Sequence, residues 1–147
     1  MKGHKEQGFT LIELLIVVAI ISIIAAIAVP GLLRARMTGN ETSAIASLKV
    51  TTSSQVAYTA SCGNGGYATS FTVLGTPIVA GSEAFISADL GSSATPQKSG
   101  YNFTLTAGAA GAGPNDCLAR ATNAGYYATA AVPTEPFTTS ASVSPVQ

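Results

Sequence analysis

Hydrophobic and polar positions divide this 147-residue chain into two regimes. Residues 14–33 are 20 consecutive positions without a formal charge. At 1.5 Å per helical residue that run is roughly 30 Å long, the thickness of a bilayer's hydrocarbon core, so it can span a membrane. The chain begins with a polar leader, residues 1–8, and one carboxylate, Glu13, sits five residues into the apolar stretch that follows the leader. From Phe9 to about Ala60 the pattern predicts one long helix. Apolar residues crowd all sides up to Leu33. They then thin to a stripe at Ala44, Ile45, Leu48, Thr52 and Val56, which is helical spacing for a single buried face. Pro30-Gly31 interrupts the backbone ladder and Gly39-Asn40 weakens it again, so a helix bend at Pro30, or local melting, is expected. Uninterrupted, the helix would run about 78 Å, far beyond any globular need. Its second half can bury its stripe against a head, but its first half has no partner within the chain.

After Cys62 the signals change from helix to turn and strand. Gly63-Asn64-Gly65-Gly66 predicts a tight loop, and no Lys-Ser or Lys-Thr pair follows it to make a phosphate cradle. Residues 76–82, 90–99 and 108–115 are further loop-like stretches. Short β-prone runs lie at residues 84–88, 101–106, 117–121 and 126–132. In the second, Tyr101, Phe103 and Leu105 alternate with Asn102, Thr104 and Thr106, which makes one face apolar. The fold class this predicts is α+β: a long N-terminal helix whose C-terminal half packs on a small antiparallel β-sheet. Residues 133–147, rich in Ser, Thr and Pro, read as an edge strand or as unordered tail.

Glu13 is the odd residue of the apolar run. An acidic side chain at the centre of a membrane helix costs about 2.5–3.5 kcal/mol on insertion scales, and less near an end, so simple anchoring does not ask for it. No Lys, Arg or His lies within a helical turn or two on the same side, so its partner is expected from another molecule or a new terminus. Cleavage after Gly8 would create one, because the freed amine of Phe9 is cationic near neutral pH and could pair with Glu13 of an adjacent copy.

At these residues the chain resembles the type IV pilins and their relatives. Gly8-Phe9-Thr10-Leu11-Ile12-Glu13 is similar to the class III signal of prepilins, in which a dedicated peptidase cuts after the glycine and methylates the new N-terminal Phe. The resemblance implies that Gly8 is the last leader residue and Phe9 the first mature, N-methylated residue. It makes Glu13 the assembly glutamate and places Pro30 where many pilins bend their helix. It is dense from Lys5 to about Arg36 and only general in the head. It implies four segments: leader 1–8, a membrane and filament-core half-helix 9–33, an amphipathic half-helix 34–60, and a globular β head 61–147. The implied partners are further copies of the chain in a helical filament, a prepilin peptidase, an inner-membrane platform protein and an assembly ATPase. The precursor is expected in the inner membrane and the assembled subunit in an extracellular pilus, with adhesion, motility or DNA uptake as outputs.

Two other processing routes compete. A plain single-span anchor explains the hydrophobicity but not Glu13. A conventional secretory signal would use Ala26-Ile27-Ala28 as its cleavage site, yet a charge inside the apolar region and a run this long are unusual for one. Two cysteines, Cys62 and Cys117, allow one disulfide or two buried thiols. With a secretion-type N-terminus the disulfide is expected, at roughly 4 kcal/mol in the chain-entropy model.

Composition adds exclusions. Seven basic and seven acidic side chains balance, and removing residues 1–8 would leave five against six. Too few cations remain to neutralise several phosphates, so no nucleic-acid face is expected. The mean hydropathy of +0.39 is raised by the N-terminal run. His4, the one histidine, lies in the leader, so a histidine-dependent triad is unavailable to the processed chain. Glu13, Glu41, Glu83, Asp89, Asp116 and Glu135 show neither paired-carboxylate nor metal-ligand spacing, so neither an enzyme nor a cofactor is expected. Asn40-Glu41-Thr42 and Asn102-Phe103-Thr104 are glycan-acceptor patterns that arise often by chance. A type II secretion pseudopilin shares this N-terminus. It often lacks the disulfide and carries an acidic calcium site near the C-terminus, where only Asp116 and Glu135 stand here. A monomeric secreted binding domain is the remaining rival.

Overall fold

The computed structural model describes residues 8–132 and, as backbone, residues 141–143. Among these, seven elements follow in order: α1 (Leu11–Ser61), α2 (Phe71–Leu74), α3 (Ala88–Gly91), β1 (Gln97–Lys98), β2 (Tyr101–Ala107), β3 (Tyr126–Ala131) and β4 (Ala141–Val143). The leader up to Gln7 and residues 133–140 and 144–147 of the tail lie outside the described residues. A long helix with a small antiparallel sheet is the α+β arrangement expected from the sequence. The helical pattern of α1 continues through Pro30-Gly31 and Gly39-Asn40, so the local melting expected there does not occur. A proline inside an established helix removes one donor while the turns on either side keep theirs, and the cooperative ladder survives.

The chain divides into two units, Met1–Gly39 and Asn40–Gln147. In the first, every described side chain is exposed, from Phe9 at 89% through the aliphatic residues to Leu33 at 60%. Here α1 is the one helix among the described residues long and apolar enough to cross a membrane.

The second unit is built around the C-terminal part of α1, and the face that packs differs from the stripe expected. Ala44 and Leu48 are buried, but Ile45 and Val56 are exposed and Thr52 is half-buried. The packed face instead runs through Ala44, Ser47, Leu48, Thr51, Ser54, Gln55 and Tyr58. Hydroxyl-bearing residues can line it because each has a partner. Ser47 and Thr51 donate to the carbonyls of Ser43 and Ser47, at 3.0 and 2.9 Å, and Ser54 donates to Phe85 O at 2.7 Å. The fully buried Gln55 clamps one residue twice: Nε2 donates to Ala68 O at 2.8 Å and Oε1 accepts from Ala68 N at 2.9 Å. A buried polar group is tolerated once it is hydrogen-bonded, and short side chains let the head approach the helix closely.

The sheet is antiparallel in the order β1-β2-β3-β4. Tyr101, Phe103 and Leu105 of β2 point inward, as their alternation predicts, and join Tyr126, Ala128 and Ala130 of β3 in one core with Leu48, Tyr58 and Phe71. Lys98 pairs with Tyr101 across a two-residue loop, Ser99-Gly100, both at positive φ (53° and 77°). That is the mirror-turn geometry whose twist suits a hairpin. Residues 90–99, expected as loop, thus contain the end of α3 and all of β1, and β4 forms within the tail.

Two β-prone runs are not strands. Phe85 donates its N–H to Leu74 O and accepts from the Ser54 hydroxyl at its carbonyl, so both of its ladder groups are used elsewhere, and the run leads into α3 instead. Residues 117–121 fold as turn and loop around Asp116. The short helices α2 and α3 meet at Gly75 and Gly91, where a Cβ on Gly75 would stand 2.3 Å from Gly91 O, so glycine is required by the backbone contact itself.

Candidate functional site

Gly8, Phe9 and Thr10 precede α1 outside any regular element, and all three are exposed. Among the described residues no atom beyond the chain neighbours lies within 4 Å of where a Cβ on Gly8 would stand. Thr10 caps α1. Its Oγ1 accepts from Glu13 N at 3.3 Å, while Glu13 Oε2 accepts from Thr10 Oγ1 at 2.9 Å and Thr10 N at 3.2 Å. This is the reciprocal capping box, with the carboxylate at the positive end of the helix dipole. The expectation that Glu13 has no partner within its own chain is therefore corrected. A neutral hydroxyl and a backbone N–H, both of Thr10, bond the carboxylate locally without a cation. The signal was present, since Thr-x-x-Glu ahead of an apolar run is the capping-box pattern.

Pro30 lies within α1, between exposed Val29 and Gly31. Cys62 follows the end of α1, and its disulfide to Cys117 closes a separation of 55 residues. Beside it lies an arrangement that sequence reading missed. Asp116 is buried, with its carboxylate held by four donors: Tyr58 Oη at 2.6 Å, Arg120 Nε at 2.6 Å, Leu118 N at 2.9 Å and Arg120 N at 2.7 Å. Burial opposes its ionisation, but the bonds from Tyr58, Arg120 and Leu118 outweigh that and hold its pKa down to about 2. Burial, and then the Asp116 carboxylate it donates to, push the Tyr58 hydroxyl up to about 12. The turn also closes on itself, with Asp116 N donating to Arg120 O at 2.9 Å and Ala119 N to Asp116 O at 3.0 Å. Arg120 Nη2 is buried without a partner, so this guanidinium uses only part of its fork. Nothing in the spacing of Tyr58, Asp116 and Arg120 announced the cluster, because two of its members are 58 residues apart.

A family model described as the prokaryotic N-terminal methylation motif matches residues 3–29. The N-terminal segment is thus similar to that of proteins methylated at their N-terminus, a pilus component among them. The type IV wide pilus major component PilA4 of Thermus thermophilus is 59% identical to the chain over 39 residues. That stretch is 26% of this chain and 30% of the relative, so the chain matches less than a third of that pilin's length. No solved structure matches. Gly8 and Phe9 fall inside the matched segment together with Thr10, Glu13 and the exposed aliphatic residues as far as Val29. The Asp116 cluster lies outside the methylation motif. Among the described residues no group of three or more His, Cys, Asp or Glu side chains is placed to hold a metal ion.

Proposed function

We propose that the protein is the structural subunit of a type IV pilus. The observation that carries this reading is an aliphatic half-helix exposed on every side and opening on a methylation motif. Such a surface needs lipid before assembly and other copies of itself after it. As precursor the chain sits in the inner membrane by residues 9–33, with the leader inside and the head outside the cytoplasm. A prepilin peptidase cuts after Gly8 and methylates Phe9, and an inner-membrane platform protein with an assembly ATPase extracts the subunit. Filament growth then replaces lipid contacts with helix–helix contacts. A Leu or Ile side chain gains little in that exchange, since lipid tails are equally apolar, so packing and polar pairing must bias assembly. The Phe9 amine of one copy and Glu13 of its neighbour supply that bias and set axial register. Before assembly, Thr10 supports the waiting carboxylate by bonding it within the same chain. Adhesion, motility and DNA uptake are the outputs open to such a filament.

The test is the intact mass and N-terminal sequence of the protein recovered from the cell envelope. The expected chain begins at N-methylated Phe9. A chain beginning near Val29 would mean conventional signal cleavage after Ala26-Ile27-Ala28 and would overturn the reading.

A further inference from the structure

The head joins α1 to the segment around Asp116 twice, in register. Tyr58 and Cys62 are four residues apart, one helical turn, at the end of α1. Asp116 and Cys117 are consecutive. Tyr58 Oη donates to Asp116, and Cys62 is bonded to Cys117 both through sulfur and through Cys117 N donating to Cys62 O at 2.8 Å. Between the residues of each pair the chain makes a long excursion, so two thiols attached to it meet rarely unless something else brings them together. The turn of residues 116–120 is bonded within itself by groups other than sulfur. Its carboxylate takes the N–H groups of Leu118 and Arg120 and the Arg120 Nε, and its backbone closes on Arg120 O. Asn64 Nδ2 adds a second tether, donating to Asn115 O at 2.8 Å from the loop that follows Cys62.

We propose that the Tyr58–Asp116–Arg120 clasp forms before the disulfide and acts as its positioning device, delivering Cys117 to Cys62 for oxidation. The oxidation is thiol–disulfide exchange with a small-molecule or protein disulfide. One cysteine thiolate attacks the oxidant's disulfide, forms a mixed disulfide and expels a thiolate. The second cysteine, held adjacent by the clasp, attacks the protein sulfur of that mixed disulfide and expels the other thiolate. One Cys62–Cys117 bond forms, the oxidant's disulfide is reduced to two thiols, and the two cysteine protons end on them. The clasp acts on the second step, which is intramolecular and depends on how well the two sulfurs are held together.

Two measurements on the full chain in detergent micelles test this. In glutathione redox buffers at pH 7, the effective concentration of the Cys62–Cys117 pair should fall at least tenfold in Asp116→Asn. It should fall several-fold in Tyr58→Phe, which keeps the ring and loses only the hydroxyl. An unchanged value in both variants would overturn the proposal. The second measurement does not depend on those variants folding. In a Cys62→Ala/Cys117→Ala chain, the amides of Leu118 and Arg120 should remain protected from hydrogen exchange, because the clasp holds them without sulfur. Exchange at unprotected rates there would show that the clasp follows the disulfide rather than preceding it, and the proposal would fail.

Discussion

Gln55→Met tests whether the head is held to its helix by directed polar bonds or by apolar burial alone. The two side chains are close in length and volume, and Met suits a buried position, so area arguments alone predict a neutral or stabilising change. The structure predicts the opposite. Gln55 supplies both hydrogen-bond partners of the Ala68 backbone, one to its carbonyl and one to its N–H, in a site with no solvent access at Gln55 and 1% exposure at Ala68. Each of the two backbone groups left buried without a partner costs about 1–3 kcal/mol of desolvation, or about 2–6 kcal/mol together. Better packing of the thioether offsets part of this, which leaves about 3 kcal/mol of destabilisation. For a unit of residues 40–147 that corresponds to a fall in Tm on the order of 10 °C. Thermal unfolding of the oxidised full chain in micelles, followed by near-ultraviolet circular dichroism of the tyrosines, reads it directly. A melting point equal to or above the parent's would refute the argument that polar satisfaction governs this face.

Other outcomes follow from the same contacts. Asp116 has a folded pKa of about 2, below the ordinary carboxylate value. Its ionised form therefore stabilises the head above about pH 4, and that contribution, on the order of 2 kcal/mol, is lost as pH falls through 2. Acid titration of stability should show the loss in the parent and not in Asp116→Asn. Tyr58 has the opposite sign: its raised pKa leaves stability intact below about pH 10 and removes it as pH rises through about 12, which Tyr58→Phe should abolish. Gly75→Ala should cost about 2 kcal/mol, because its Cβ meets the backbone of Gly91 rather than a movable side chain, and urea unfolding measures it. Glu13→Ala should be cleaved and methylated yet yield few filaments by electron microscopy of sheared cells, and normal filament yield would remove the pairing with Phe9.

The parts of the fold legible in the sequence are those where one physical signal dominates. The aliphatic run to Leu33 could only be helix, and the alternation Tyr101 to Thr106 could only be a strand with one wet face. Where side chains are small and hydroxylated, hydropathy points the wrong way. Ile45 and Val56 attract attention and lie exposed, while Thr51 and Gln55 disappear into the interior because their polar atoms find partners. The β-prone run after Asp116 departs from its composition for a related reason. Its composition suits a strand, but one buried carboxylate takes the backbone donors a ladder would use. At the N-terminus the spacing of Gly8, Phe9 and Glu13 drew attention to a segment that falls within the matched methylation motif. Thr10 was not singled out, although its place three residues before Glu13 is the sign of a cap.

The polar lining of the helix bears on mechanical load. Ser54, Gln55 and Tyr58 lie within five residues of one another on α1 and bond to three separate segments of the head, at Phe85, Ala68 and Asp116. A greasy interface can creep, exchanging one aliphatic neighbour for the next at little cost. Bonds of fixed direction cannot, since sliding by a single residue would break all three anchor points together. Tension along the axis of this part of α1 is thus passed to the head as a rigid coupling, and the interface yields by fracture rather than by slip.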